Sequence, residues 1–496
     1  MGLLGAVPLL LLSCTTFFLA LLWRSHRSRR KLPPGPTPLP FVGNMLQVDV
    51  RDLVESFQRL QQRYGPVFTI HMGSRPVVVL CGYEAVKEAL VDHAEAFGGR
   101  GPLLALDDSI RDYGVVFSNG ERWRQMRRFS LAALRDFGMG KRSIEERIQE
   151  EAQFLVEALK RTEERLFDPT FHISHAVSNV ICSVVFGQRF EYEDREFLAL
   201  LSLINQTFQL LFSTWVQLVN FFPRLMQTLP GPHHQLSVNI KGLLRFIRQK
   251  TKTHREAFDP NCPRDFIDCF LTKMEQERGN PASEFREENL TITVLNLFFG
   301  GTESVSTTLR CGLLILLRHP EIEAKVQEEI DRVIGRNRSP CMEDRSRMPY
   351  TDAVVHEIQR FADVSPLGVP HVTTSNVQFR GYTIPKGTTV MPLLTTVLHD
   401  PLHFETPRKF NPGHFLDENG AFKKNEAFLP FSTGKRVCLG EGLARMELFL
   451  YFTTLLQNFS LKPLQDNSRE INSLPEMWLG GRRRLAGPYQ LRVVAR

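Results

Sequence analysis

The sequence predicts a mainly α fold with minor β, organised as one large domain behind an N-terminal membrane anchor. Three observations carry this. Apolar residues recur three and four apart over Ile144 to Leu159, Leu290 to Leu317, Val354 to Phe361 and Leu443 to Leu456, the period of helices with a buried face. The clearest strand pattern is a small hairpin, Val67 to Met72 and Val77 to Leu80, with Gly73 to Pro76 as its turn. No Gly/Ser-rich spacer, low-complexity tract or repeat follows the first forty residues, so 496 residues with 42% hydrophobic content are expected to share one core.

The anchor comes first. Residues 1–23 carry no charged side chain, and Leu3 to Leu22 supplies about the twenty apolar residues that cross a bilayer as a helix. Arg24, Arg27, Arg29, Arg30 and Lys31 follow at once. A cleavable signal places its charges before the apolar run and a small-residue site after it, so an uncleaved signal anchor is expected, with the basic side and the rest of the chain in the cytosol. Residues 24–40 form a basic and proline-rich linker: Pro33, Pro34, Pro36, Pro38 and Pro40 can neither continue a helix nor join a sheet.

Eight cysteines are scattered without zinc-type pairs or the density of a disulfide scaffold, which suits a reducing compartment. Sequons at Asn205, Asn289, Asn337 and Asn458 are expected to be chance matches, since Asn289 and Asn458 fall in helical patterns. Phe197 to Pro223 also lacks charge. Asn205, Gln206, Gln209, Gln217 and Asn220 make it a costly membrane span, so an apolar helix pair roofing a cavity is expected instead.

Leu290 to Leu317 is apolar on nearly every face, as in a helix through the middle of a domain. Its centre breaks the pattern. Gly300 and Gly301 together cost about 2 kcal/mol of helix propensity against alanine, and Thr302, Glu303 and Ser304 add polar groups. Two explanations stand: a packing kink that admits another element, or a widened turn that leaves room for a reactant. Farther on, Glu357 and Arg360 lie three apart on one helical face, a spacing common in exposed pairs.

The chemistry centres on Phe431-Ser432-Thr433-Gly434-Lys435-Arg436-Val437-Cys438-Leu439-Gly440. Its glycines let the backbone turn close to a bulky flat group, and main-chain N–H groups freed by the turn can point at the sulfur. Leu443, Met446, Leu448 and Leu450 then predict an amphipathic helix whose positive N-terminal end faces that sulfur. This Phe-x-x-Gly-x-Arg-x-Cys-x-Gly loop resembles the haem-binding loop of the cytochrome P-450 family.

The resemblance extends over nearly the whole chain and is closest to the microsomal family 2 haem-thiolate monooxygenases. It implies a catalytic domain over residues 41–496 that binds haem (iron protoporphyrin IX), with Cys438 as the iron ligand; a thiolate there pushes electron density into the metal and favours O–O cleavage. Gly300-Gly301-Thr302-Glu303-Ser304 is similar to the family's acid-alcohol motif, with Ser304 where threonine is usual, so Glu303 and Ser304 become the proton-delivering pair. The family's Glu-x-x-Arg is matched by Glu357 and Arg360. Phe410-Asn411-Pro412-Gly413-His414-Phe415 matches the segment that this pair locks, and all three polar residues are structural.

By the same matching, Arg100, Trp123, Arg127, His371 and Arg436 bind the haem propionates, and Val116, Phe117, Asn296, Phe299, Gly300 and Val369 line the substrate pocket. That lining is apolar and aromatic with one amide, suited to small and medium lipophilic molecules. Trp478-Leu479-Gly480-Gly481-Arg482-Arg483-Arg484 departs from the family, which commonly offers an apolar residue there.

No dinucleotide-binding glycine pattern or Walker loop appears, so electrons are expected from another protein. The resemblance names the membrane-bound NADPH-cytochrome reductase, with cytochrome b5 as a second donor. Arg122, Arg124, Arg127, Arg128, Arg135, Lys141 and Arg142 face one acid, Asp136; without interleaved stacking aromatics this argues for an acidic protein partner and against nucleic acid. Two rivals remain: a peroxide-rearranging or isomerising enzyme of the same fold, and a haem sensor or carrier without turnover.

Overall fold

The computed structural model describes residues 31–101, 110, 112–136, 142–211, 213–463, 478–479, 482–483 and 489–496. The anchor expected over residues 1–23 and the linker up to residue 30 lie outside the described residues, as do Lys141, Gly480, Gly481 and Arg484.

Helices dominate. Those of eight or more residues are α1 Leu53–Tyr64, α2 Gly120–Asp136, α3 Arg142–Lys160, α4 Thr170–Val185, α5 Arg195–Leu211, α6 Thr214–Phe221, α7 His233–Glu256, α8 Phe266–Gln276, α9 Glu287–Arg318, α10 Pro320–Val333, α11 Pro349–Ala362 and α12 Glu441–Asn458. The four expected stretches coincide with α3, α9, α11 and α12. Caps set several boundaries: Asp265 opens α8 by accepting from Asp268 N, Pro349 opens α11, and Asp363 ends α11 in the left-handed region.

Strands are short. β1 Val67–Met72 and β2 Arg75–Cys81 form the expected hairpin, but its turn is tighter than expected because Arg75 already pairs with Met72 and Pro76 with His71. Proline is tolerated in β2 because pairing with β7 Thr389–Leu393 begins only at Val77. With β3 Gly99–Arg100 and β4 His371–Val372 the sheet order is β1-β2-β7-β4-β3. Smaller pairs join β5 Val377–Phe379 to β6 Tyr382–Ile384, β8 Phe459–Lys462 to β11 Arg492–Ala495, and β9 Trp478–Leu479 to β10 Arg482–Arg483.

The core sits where α9 crosses α4, α11 and α12, with residues of all four in one apolar cluster. Close approach needs glycine at two places. A Cβ on Gly312 would lie 2.2 Å from the Phe452 ring of α12, and one on Gly301 would lie 3.0 Å from Ile181 of α4. Gly301 therefore admits a neighbour, while the chain stays α-helical through both central glycines with no widened turn. A second correction concerns α12. It is buried on nearly every side from Met446 to Gln457, so it is a core helix and not an amphipathic one.

The charge-free segment forms α5 and α6, bent by 54° to one another. By length and composition the bent pair passes for a broken membrane span, although among the described residues no single helix is long and apolar enough to cross. Phe197, Leu200, Leu201, Ile204 and Thr207 of α5 are buried, and this helix packs on α7 and α9.

Candidate active site

The cysteine loop is held by its own backbone. Cys438 N donates to Phe431 O at 3.0 Å, and Gly434 sits at φ +76° with the place of a Cβ only 1.9 Å from Leu90 O, so no other residue fits there. Gly440 caps α12 two residues after the cysteine, which puts the helix's positive end near the sulfur. The Cys438 side chain is accessible, yet protein surrounds it closely enough that burial pushes the thiol pKa up. An accessible atom in a desolvated place lies on the wall of an internal recess. The Gly440 N–H and the Arg127 charge work the other way and favour thiolate.

All five of the expected propionate residues gather at this loop. Arg127 Nη2 donates to Val437 O at 2.8 Å; Arg436 Nε donates to Gly98 O at 2.8 Å and its Nη2 to Ser118 O at 2.9 Å. Arg436 Cζ lies 4.0 Å from the Trp123 ring centroid, and Arg127 Cζ 6.0 Å. Arg100 joins through β3, donating from Nη1 to Val369 O at 2.6 Å, and His371 pairs opposite it on β4. Asn119, which the sequence reading passed over, ties the group together: its Oδ1 accepts from Arg100 N at 2.7 Å and Arg436 Nη2 at 3.3 Å, and its Nδ2 donates to Arg100 O at 2.9 Å. Its only sequence signal is a polar residue just before a helix start.

This cluster is electrostatically incomplete. Burial, with Arg127 beside it, lowers the Arg100 pKa to about 9; burial, Arg100 and Arg127 do the same to Arg436. Burial and the two arginines drive His371 down to about 3. Among the described residues no carboxylate pairs with Arg100, Arg127 or Arg436, and Arg100 Nε, Trp123 Nε1 and Arg436 Nη1 are buried without an acceptor. Orphaned donors of this kind are costly, and a buried cation more so. A flat dianionic group whose acid arms reach these atoms while its metal meets Cys438 satisfies both faults, which is the chemistry of haem.

The long helix α9 carries an opening of its own. Its neighbours along the chain are buried almost throughout, yet Gly300 and Ser304 are exposed and Asn296 is half-buried, one stripe at four-residue spacing. Ser304 Oγ donates to Gly300 O at 2.7 Å. A Cβ on Gly300 would meet nothing within 4 Å, so the space that the sequence placed in a widened turn is the missing side chain itself. Glu303, next to Ser304 in the chain, is buried: it is 3% exposed, and burial raises its pKa to about 7 against the opposing effects of Arg310 and Asn205.

The expected pocket residues are partly open, as a lining should be. Val116, Phe117 and Phe299 are half-buried and Val369 is 37% exposed. Asn296 has a structural task as well, since its Oδ1 accepts from Val115 N at 3.1 Å and Val116 N at 3.2 Å and so fixes the segment opposite. Phe208 of α5 covers Phe299 with ring centroids 6.1 Å apart. Beyond the recess, Glu357 and Arg360 form a fully buried two-pronged pair at 2.7 Å, His414 Nδ1 donates to Glu357 at 3.2 Å, and Arg360 also reaches Leu398 O, Pro407 O and Lys409 O. The group clamps the segment before the cysteine loop, the structural role expected of it.

Comparison with known proteins agrees with this arrangement. The family model described as Cytochrome P450 matches residues 33–483. Cytochrome P450 2C8 of Homo sapiens is 58% identical over 92% of this chain and 93% of its own length. Cytochrome P450 2B4 of Oryctolagus cuniculus is 56% identical over 91% and 92% of the two chains. Cytochrome P450 2H2 of Gallus gallus is 53% identical over the full length of both. The loop around Cys438, the cationic cluster beside it and these matches together make the chain a member of the cytochrome P450 family, a haem-thiolate monooxygenase of the microsomal family 2 type.

Proposed function

We propose that the protein inserts one oxygen atom of O2 into small to medium lipophilic molecules such as xenobiotics, fatty acids or steroids, with electrons from NADPH-cytochrome reductase and cytochrome b5 as a second donor. The observation that carries the reading is the set of unpaired buried donors, Arg100 Nε, Trp123 Nε1 and Arg436 Nη1, gathered beside the accessible sulfur of Cys438. When bound, haem supplies the reductive activation of O2.

The residues divide the remaining work. Cys438 holds the iron through sulfur, with the Gly440 N–H and the start of α12 favouring the thiolate. Arg100, Trp123, Arg127, His371 and Arg436 bind the propionates. Val116, Phe117, Asn296, Phe299, Gly300 and Val369 hold substrate by shape and desolvation and exclude water. Burial raises the Glu303 pKa to about 7, so the acid exchanges a proton readily near physiological pH, and the Ser304 hydroxyl on the open stripe next to it in the chain would relay that proton.

Electron supply follows from charge. Arg124, Arg128 and Arg135 are exposed on α2, and Arg127 of the same helix bonds the cysteine loop, so an acidic donor domain docked there would sit on the thiolate side. Residues 1–23 would anchor the chain in the endoplasmic reticulum membrane, with the catalytic domain in the cytosol.

The test is spectroscopic and then catalytic. The reduced enzyme should give a thiolate-type carbon monoxide band that is lost in C438S, and product should require the reductase. A histidine-type band in the wild type, or undiminished oxygenation by C438S, would overturn the proposal. Turnover of peroxides without reductase would favour the rearranging rival.

A further inference from the structure

Arg445 lies one turn into α12, and its guanidinium is held from two helices. Nε and Nη2 both donate to Glu441 Oε1 at 2.9 Å, one turn back on the same helix. Nη1 donates to His356 Nε2 of α11 at 2.9 Å. A guanidinium can only donate, so this contact leaves the imidazole proton on Nδ1, which donates to Asp352 O at 2.8 Å. Asp352 in turn accepts from Arg345 Nε at 2.9 Å, and Phe415, Phe422 and Phe428 close around His356 with ring centroids at 5.4, 4.6 and 4.9 Å.

The same cation also rests on aromatic rings. Its Cζ lies 5.0 Å from the Phe431 ring centroid and 5.4 Å from that of Phe428. Phe431 opens the cysteine loop, and its carbonyl accepts from Cys438 N at 3.0 Å. Glu441 stands three residues past Cys438, so chain length alone keeps their Cα atoms within about 11 Å. Arg445 therefore meets the segment that carries the sulfur at both ends. Its side chain is only 23% exposed, which turns the charge inward to these partners and away from any docked protein.

We propose that Arg445 is a positioning residue for electron uptake: held against Phe431 between α11 and α12, it offsets the Glu441 charge near the cysteine and so sets how readily the iron held there is reduced. The inference rests on the reading of Cys438 as the iron ligand. Its sign follows from charge, because ferric iron carries one more positive charge than ferrous iron and a nearby uncompensated carboxylate favours the ferric state. A unit charge at about 11 Å, at an effective dielectric of about 20, shifts such an equilibrium about tenfold. Glu441 is 36% exposed, and solvent screening brings the expected shift to between about threefold and tenfold.

The experiment is a spectroelectrochemical titration of the full-length holoenzyme without reductase or substrate, in wild type, R445L, R445K, E441Q and R445L/E441Q. R445L should move the ferric–ferrous equilibrium about threefold to tenfold toward ferric, and E441Q should move it toward ferrous by leaving the arginine unpaired. R445L/E441Q removes both charges and should return close to the wild type, as should R445K, which keeps the cation. A midpoint in R445L equal to that of the wild type overturns the inference. So does a double variant as low as R445L, which would mean that lost packing on Phe431 is at work. Should R445L fail to fold, E441Q decides, and an unmoved midpoint there overturns the inference as well.

The carbon monoxide spectrum of the same samples separates this from the underlying reading. A histidine-type band in the wild type removes Cys438 as ligand, and the inference with it. A thiolate-type band together with midpoints that ignore both charges removes Arg445 alone.

Discussion

Arg436 lays its guanidinium on the Trp123 indole, Cζ 4.0 Å from the ring centroid, and the contact leaves Arg436 Nη1 and Trp123 Nε1 as buried donors without an acceptor. The stack makes the pair rigid before any ligand arrives. Two donors fixed in a desolvated place recognise an acid strongly because little ordering remains to be done on binding.

W123F tests this directly. Phenylalanine keeps an aromatic face for Arg436 and deletes only the orphaned N–H. Haem affinity should fall about tenfold, as expected for one hydrogen bond to a charged group, while the apo-protein melts no lower than the wild type because the lost donor had no partner. Haem-transfer rates to apomyoglobin and apo-protein melting curves give the two numbers. Lower apo stability with unchanged haem transfer would place Trp123 in packing alone.

The Glu357–Arg360 clamp makes the opposite prediction. Both side chains are fully buried and share their hydrogen bonds with His414, Asn411 N and three carbonyls. E357A leaves the Arg360 cation uncompensated, and a broken buried pair costs about 3–5 kcal/mol. The yield of folded haem protein should collapse, with the little that folds showing a normal carbon monoxide spectrum. Retention of wild-type yield would show that the pair is dispensable.

Much of this was legible in the chain because period and local chemistry coincide. The spacing at Ile144 to Leu159 found α3 almost to its ends, and Val354 to Phe361 found the interior of α11, whose start at Pro349 is marked by the proline itself. Arg75 and Pro76 looked like turn because proline usually ends a strand, and only the late start of the β7 pairing excuses it. Leu443 to Leu450 suggested one apolar face, but partners on several sides bury α12 all round, which a one-dimensional pattern cannot express. In the site, Cys438 and Arg436 stand out in a motif of fixed spacing. Asn119 does not, since its role depends on Arg436, far away in the chain.

His371 makes haem binding a proton-coupled event. Its Nδ1 donates to Phe97 O at 2.8 Å, and burial with Arg100 and Arg436 nearby lowers its pKa to about 3, so at neutral pH the imidazole is neutral and Nε2 carries a lone pair. A propionate cannot accept a hydrogen bond from a lone pair. Once acid groups offset the two arginines, the affinity of Nε2 for a proton rises while the effect of burial stays, and binding should take up protons, most where the pH falls between the apo and holo values. Affinity should therefore weaken as pH rises through the holo value. Calorimetry of haem binding in buffers of different ionisation enthalpy measures the uptake, and H371Q should abolish it; zero uptake in the wild type would remove His371 from the propionate set.

Ser304 stands on the open stripe of α9, its Oγ donating to Gly300 O at 2.7 Å. That hydrogen bond is one of three staggered choices for a serine, and nothing on Cβ restricts the hydroxyl to it. S304T adds a methyl that narrows the choice, so the hydroxyl should be found more often in one place and the peroxide share of NADPH electrons should fall by about two- to threefold, the change in population of a single rotamer. S304A removes the hydroxyl and should raise that share instead. Product and peroxide counted against NADPH in the three proteins decide it: equal partition would mean that the Ser304 hydroxyl takes no part in proton delivery and that water alone carries the proton across the recess.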